Sequence, residues 1–276
     1  MIVYFNGSYQ PKDAVRVSPD DRGFLLGDGA YEVGRTYGGR FYALDRHLDR
    51  LAYSLRELRI SGVELEVVRG VFQELPRRND LATRDALVYL QVTRGAAART
   101  HGFPAPAVPP TLYAYAAPIV PRVDPSAGVS VITLPDRRWA RCDIKTISLV
   151  ANCLANQEAQ EAGAFEALLV RDGVVLEGSH TSLFAVFGGE IRTAPLTNYI
   201  LPGITRGALL EICRAAGIPA VERPIQLEQL RQADEVFLAG TTIEALAVVR
   251  LDGQPVAGGK PGPLTRRLRE LFLRQT

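Results

Sequence analysis

Apart from the N-terminus, only a lysine can serve as an amine nucleophile, and the 276-residue sequence has three: Lys12, Lys145 and Lys260. The other 29 basic residues are arginines, which stay protonated and cannot form an imine. Lys12 stands beside a turn (QPKD) and Lys260 lies in GGKPG, both solvent-facing loop contexts. Lys145, in RWARCDIKTISL, is different. If DIKTI is a strand, its side chain points away from the face that carries Ile144 and Thr146. Apolar surroundings would desolvate such an amine and favour its neutral, nucleophilic form, as a Schiff-base lysine requires. A lysine snorkelling from a strand end has the same spacing.

Other residues invite similar readings. Glu177 ends a strand in VVLEGSHTSLF, where it either faces a cofactor or is an ordinary strand-end carboxylate. LPGITRG (201–207) opens a helix. Gly203 there permits close backbone approach, and the amides of Ile204 and Thr205, the Thr205 hydroxyl and the helix dipole suit a phosphate. Gly240-Thr241-Thr242, after the strand EVFLA, is a second small polar turn of this type. Most such turns merely cap helices; two of them strengthen the case for phosphate. Arg46, His47 and Arg50 share a helix, where an arginine grips phosphate bidentately or stays a solvated charge. Arg99 and His101, in TRGAAARTHGFP, are two donors in one loop that can hold a carboxylate. The histidines at 47, 101 and 180 show no metal-ligand spacing, and no GxSxG marks a serine hydrolase. Gly27-Asp28-Gly29 lacks the third glycine and the βαβ context of a dinucleotide site.

The elements that must position these residues follow from periodicity. LDRHLDRLAYSLRELRI (44–60) has leucines at helix spacing, with an apolar face and an arginine-rich face, and Val68 to Leu75 is a second helix. Residues 86–93 and 111–117 are strands, as is VSVITL. Asp172-Gly173 and Gly188-Gly189 each join two strands into a hairpin. Helices are expected over 148–163, from a Thr205 cap to about residue 216, and over 263–275. Proline-rich residues 120–127 read as a linker between a small N-terminal domain (1–119) and a larger cofactor-binding domain (128–276). The fold class is α+β with antiparallel or mixed sheets. A net charge of +2 does not suggest a nucleic-acid or anionic-membrane binder, and no apolar run is long enough to span a bilayer. Three scattered cysteines without CxxC fit a cytoplasmic protein.

Together these segments resemble one family, the fold-type IV pyridoxal-phosphate enzymes, and within it the D-amino-acid transaminase branch. The resemblance runs through nearly the whole chain. It is densest in DDRGFLLGDGAYEV, RHLDRL, QVTRGAAARTHGFP, RWARCDIKTISL, LVRDGVVLEGS, LPGITR and GTTIE, in that order. It implies a two-domain, branched-chain-aminotransferase-like fold holding pyridoxal 5'-phosphate. Lys145 would form the Schiff base, Glu177 would face the pyridine nitrogen and Arg50 would bind the phosphate. Gly203, Ile204, Thr205, Gly240 and Thr241 would complete the phosphate cup, with Leu201 packed on the ring. Tyr31, Val33, His180 and Thr242 would border the substrate. Arg99 and His101 match that branch's carboxylate trap, in a loop that reaches the partner subunit's active site, so a homodimer is implied.

The implied reaction moves an amino group between D-amino acids such as D-alanine or D-glutamate and 2-oxo acids such as pyruvate or 2-oxoglutarate. Once substrate displaces Lys145, the freed amine would shuttle the proton between Cα and the cofactor C4′. Three positions depart from the branch. Ser182 stands where the family often has Asn, His180 where a smaller hydroxyl residue is usual, and Gly240 where a hydroxyl lies near the phosphate. Other expectations share the cofactor: an (R)-amine transaminase, a branched-chain L-amino-acid transaminase or an aminodeoxychorismate lyase. A non-enzymatic phosphate-binding module that reuses the Gly-Thr turns is the alternative from a different class.

Overall fold

The computed structural model describes residues 1–121 and 123–276, the side chain of residue 257 aside; Arg122, in the expected linker, lies outside the described residues. The chain forms two compact units, one of Met1–Val120 with Ile144–Leu149, the other of Pro121–Asp143 with Val150–Thr276. From sequence, 128–276 is expected to be one continuous domain. The stretch carrying Lys145 belongs instead to the first unit.

The first unit is built on strands β1 (Ile2–Phe5), β2 (Ser8–Pro11), β3 (Gly29–Tyr37), β4 (Arg40–Phe41), β5 (Ala86–Thr93) and β6 (Thr111–Pro118). They form one antiparallel sheet in the order β2-β1-β6-β5-β3-β4. The short helix α1 (Arg22–Leu26) precedes β3, and α2 (Leu44–Glu57) and α3 (Leu65–Arg78) lie between β4 and β5. Alternation along β5 explains how the helices dock. Ala86, Val88, Leu90 and Val92 are buried, while Leu87, Tyr89 and Gln91 between them are only partly covered. The buried row packs with Leu48, Leu51 and Leu55 of α2 and Val68, Val71, Phe72 and Leu75 of α3.

The second unit contains β7 (Val129–Pro135), α4 (Val150–Glu161), β8 (Glu166–Arg171), β9 (Val174–Gly178), β10 (Ser182–Phe187), β11 (Glu190–Thr193), α5 (Ile204–Ala215), β12 (Ala220–Glu222) and β13 (Ile225–Gln226). It continues through α6 (Leu227–Leu230), β14 (Glu235–Gly240), β15 (Glu244–Leu251), β16 (Gln254–Pro255) and α7 (Pro263–Leu273). Its ten strands make one mixed sheet in the order β12-β11-β10-β14-β15-β7-β8-β9-β13, with β16 paired to β15. β7 runs parallel to both β8 and β15, and β8–β9 and β10–β11 are the two hairpins expected from sequence. Asp172 and Gly173 adopt φ of 51° and 78°, the left-handed pair that a two-residue hairpin turn demands. The α+β class and most elements match the sequence reading.

Three local expectations do not hold. DIKTI is not a strand: around Lys145 only Thr146 makes an isolated bridge, to Ala30. The segment is too short of partners to build a ladder and is held by side chains instead. Thr205 does not cap α5, because Gly203 occupies the cap position and offers no side-chain bond. Finally, α2 does not keep its polar residues outside, since His47, Arg50 and Ser54 lie on its buried face beside the leucines. No helix among the described residues is long and apolar enough to cross a membrane.

Candidate active site

Lys145 is stitched into the first unit through its backbone. Its amide donates to Ser54 Oγ of α2 at 3.1 Å, and its carbonyl accepts from the Tyr31 amide at 3.0 Å. Thr146 Oγ1 and the Ile147 amide both donate to the Gly29 carbonyl, and Ser148 Oγ donates to the Gly27 carbonyl. This contact explains the Gly-Asp-Gly motif. A Cβ on Gly27, whose φ is +66°, would come within 2.6 Å of Ser148 Oγ, and one on Gly29 within 2.4 Å of the Val92 carbonyl oxygen. The Lys145 amine lies 4.1 Å from the centroid of the Tyr31 ring and makes no hydrogen bond or ion pair among the described residues. Tyr31 in turn stacks on Tyr89, and Tyr89 on Tyr115. The reactive amine therefore rests on a rigid aromatic face rather than in a salt bridge. Val33 follows on the same side of β3 as Tyr31, partly exposed.

Arg50 is not solvated. Its Nε and Nη2 grip Glu32 at 3.0 and 2.6 Å, and His47 Nδ1 lies 2.9 Å from the same carboxylate. Burial alone would push the Glu32 carboxyl up, but the Arg50 charge and the His47 contact hold it far below the usual carboxylate range. Sequence reasoning missed Glu32. Its signal was a charged residue in phase with Ala30 and Gly34, the inward side of β3. Arg99 and His101 are both exposed on the loop after β5.

In the second unit, Glu177 is buried at the end of β9. It accepts from Arg138 Nη1 at 2.6 Å and from the Leu201 amide at 3.2 Å. Arg138 is the second residue missed. Its guanidinium also grips Asp136, with Nε 2.9 Å from Oδ1, and donates to the Tyr199 carbonyl at 3.0 Å. Arg171 holds Asp136 from another side at 3.1 Å. The resulting chain of charges, Arg171–Asp136–Arg138–Glu177, fixes both Glu177 and the approach to Leu201. Desolvation dominates at Glu177 and lifts its pKa to about 7, against the attraction of Arg138, whose charge is divided between two carboxylates. A buried acid so poised takes a proton or a cationic N–H donor with equal readiness.

Beside it, Gly203 comes so close to β10 that a Cβ there would sit 2.7 Å from Ser182 Oγ. α5 starts immediately afterwards, with Ile204 and the buried Thr205 in its first turn and no side-chain cap over their amides. These groups form an anion-binding helix start. Gly240, Thr241 and Thr242 form the turn between β14 and β15, and a Cβ on Gly240 would meet only Ile243, at 3.4 Å. His180 is exposed on the β9–β10 turn, its Nδ1 2.9 Å from the buried Glu166. Glu166 organises that turn, accepting from Ser179 Oγ, Thr181 Oγ1 and the amides of Ser179 and His180.

The raised Glu177 pKa has a measurable sign. Between its ordinary 4.5 and about 7, the folded chain holds a proton that the unfolded chain has released. The group therefore stabilises the ligand-free fold most below about 4.5, and that contribution is lost as pH rises through about 7. Glu177→Gln cannot titrate. Thermal denaturation of the ligand-free proteins should show wild type losing stability relative to Glu177→Gln between about pH 5 and about pH 8. A gap that stays constant, or opens the other way, contradicts the assignment.

The profile of the amino-transferase class IV family matches residues 29–251. D-alanine aminotransferase of Bacillus licheniformis is 42% identical over 273 residues, covering 97% of this chain and 94% of that protein. D-alanine aminotransferase of Staphylococcus haemolyticus is 38% identical over 272 residues, with 98% and 96% covered. Among solved structures, a branched-chain amino acid aminotransferase complexed with N-(5'-phosphopyridoxyl)-L-glutamate, from the source abbreviated T.th., superposes with a TM-score of 0.90. It is 29% identical, and the match covers 99% of this chain and 93% of that one. The family that the motifs pointed to is the family found: the chain belongs to the class IV aminotransferases, with the fold-type IV architecture.

Proposed function

We propose that this protein is a pyridoxal 5'-phosphate-dependent transaminase that moves amino groups between D-amino acids and 2-oxo acids. The observation that carries the cofactor is the donor set. A buried carboxylate with a raised proton affinity calls for a cationic ring N–H, and an uncapped helix start cradled by Gly203 calls for a phosphate. When bound, the cofactor supplies an electron sink that makes the substrate Cα–H acidic.

The chain's own residues do the rest. Lys145 supplies the anchoring amine and, once released, takes the proton from the substrate Cα; such general acid–base help is worth about 10²- to 10⁴-fold. Glu177 keeps the ring nitrogen charged, and Leu201 packs on the ring. Ile204, Thr205, Gly240 and Thr241 hold the phosphate together with Arg50, whose direction Glu32 fixes. Tyr31, Val33, His180 and Thr242 border the substrate. Arg99 and His101 grip its carboxylate from an exposed loop, which supports a homodimer whose subunits complete each other's sites. Exposed Phe24 and Phe103, on and beside the segments that carry this loop, favour such burial. Three free cysteines favour a cytoplasmic location. The D-amino-acid reading is preferred to the branched-chain one because Arg-x-His at 99–101 and the most extensive sequence likeness point the same way.

Borohydride reduction of the yellow holoenzyme, followed by peptide mass spectrometry, should place the pyridoxyl group on Lys145, and Lys145→Ala should be neither coloured nor labelled. Wild type that stays colourless with added cofactor, or label on another residue, contradicts the proposal. In single-turnover half-reactions, D-alanine and D-glutamate should discharge the aldehyde form of the cofactor while their L-enantiomers and branched-chain L-amino acids do not. The reverse preference would assign the enzyme to the branched-chain activity.

A further inference from the structure

The loop that carries Arg99 and His101 has little regular structure, yet it is fastened at several points. Helix α1 sits against the end of β5. Asp21 caps the Gly23 amide and accepts from Thr93 Oγ1, and a Cβ on Gly23 would collide with Thr93 Cγ2 at 2.2 Å. From this seat Arg22, only 2% exposed, reaches into the loop. Its Nη1 donates to the Thr100 carbonyl at 2.7 Å and to the Gly102 carbonyl at 3.3 Å, the two carbonyls that flank His101. Its Nε donates to Asp28 Oδ2 at 2.8 Å.

Asp28 also takes two bonds from Arg94, at 2.8 and 2.9 Å. Arg94 further donates to the carbonyls of Leu58 and Arg59, just past the end of α2, and its guanidinium carbon lies 3.6 Å from the Phe103 ring centroid. Burial pushes the Asp28 carboxyl up, but its bonds and charges with Arg94 and Arg22 outweigh that and hold it below the ordinary value. One ionised carboxylate thus orients two arginines, and those two arginines pin the loop at Thr100, Gly102 and Phe103.

We propose that Arg22, acting through the loop and without touching substrate, is a positioning residue that sets how tightly Arg99 and His101 grip a substrate carboxylate. The inference rests on the reading of Arg99 and His101 given above. Ordering the loop before substrate arrives removes a cost that binding would otherwise meet. A lysine at position 22 keeps the charge beside Asp28 but lacks the planar fork that serves a carboxylate and two carbonyls together.

The test compares Arg22→Lys, Phe103→Ala and Arg99→Ala as holoenzymes, with D-alanine and with an (R)-amine that has no carboxylate. Arg22→Lys should raise KM for D-alanine about tenfold, with kcat nearly kept and with unchanged KM for the amine and unchanged Kd for pyridoxal phosphate. Phe103→Ala, an exposed change that spares the core, should shift the same KM in the same direction by a smaller factor, and it decides the matter if Arg22→Lys fails to fold. If Arg99→Ala raises the D-alanine KM selectively while neither of the other variants does, the positioning role is overturned and the carboxylate reading stands. If Arg22→Lys weakens both substrates or the cofactor equally, its role is only structural and the inference is again overturned. If Arg99→Ala itself does not discriminate between the substrates, the reading of the loop falls, and the inference with it.

Discussion

A carboxylate removed from water must find donors or a cation, and much of this molecule is arranged around five that are largely or wholly buried. Asp28 is held by Arg22 and Arg94, Glu32 by Arg50 and His47, and Asp136 by Arg138 and Arg171. Glu166 is held by a turn of hydroxyls, amides and His180, and Glu177 by Arg138 and one backbone amide. Removing one partner from such a pair leaves an uncompensated charge, which costs several kcal/mol, typically about 3–5. The arginine bias of the composition acquires a structural reason at these sites. Each pairing with an arginine uses a fork that serves two acceptors at once, which an ammonium cannot do. Glu177 is the exception, because its single guanidinium is shared with Asp136 and desolvation wins. That imbalance separates a group ready for a ligand from groups that only hold the fold.

Much of this organisation was legible in the sequence. The hairpins at Asp172-Gly173 and Gly188-Gly189 need left-handed backbone that those residues supply, and β5 and α7 follow from simple periodicities. Lys145, Glu177 and the 201–205 turn stood out by residue type and setting. Glu32, Arg138 and Arg22 did not, for a common reason. Their partners lie 18, 39 and 78 residues away, and periodicity reports only neighbours along an element. For the same reason α2 looked like a helix with an outward arginine face, when Arg50 turns inward to meet Glu32. DIKTI carried strand-like alternation, and the burial does alternate over Ile144, Lys145 and Thr146. The ladder is missing because the segment crosses α2 and the start of β3, which offer isolated acceptors instead of a strand edge.

The three departures from the D-amino-acid branch are accommodated in different ways. Ser182 packs where its hydroxyl abuts Gly203, so a small side chain and a glycine share one gap. Gly240 leaves room for a side chain, with only Ile243 near a Cβ. His180 trades a small hydroxyl for a ring steered by the ionised Glu166, whose carboxyl is held below its ordinary value despite burial. The first two bear on the hold of the phosphate. The third places an imidazole on the turn that directly follows the strand of Glu177.

The claim that Glu177 is poised for a cationic ring nitrogen can be read at the atom concerned. Holoenzyme reconstituted with pyridine-¹⁵N-labelled pyridoxal phosphate should give the chemical shift of a protonated ring nitrogen from below pH 7 to well above it, and Glu177→Gln should shift the signal to that of the unprotonated ring. An unprotonated nitrogen in wild type, or identical signals from the two proteins, would contradict the account.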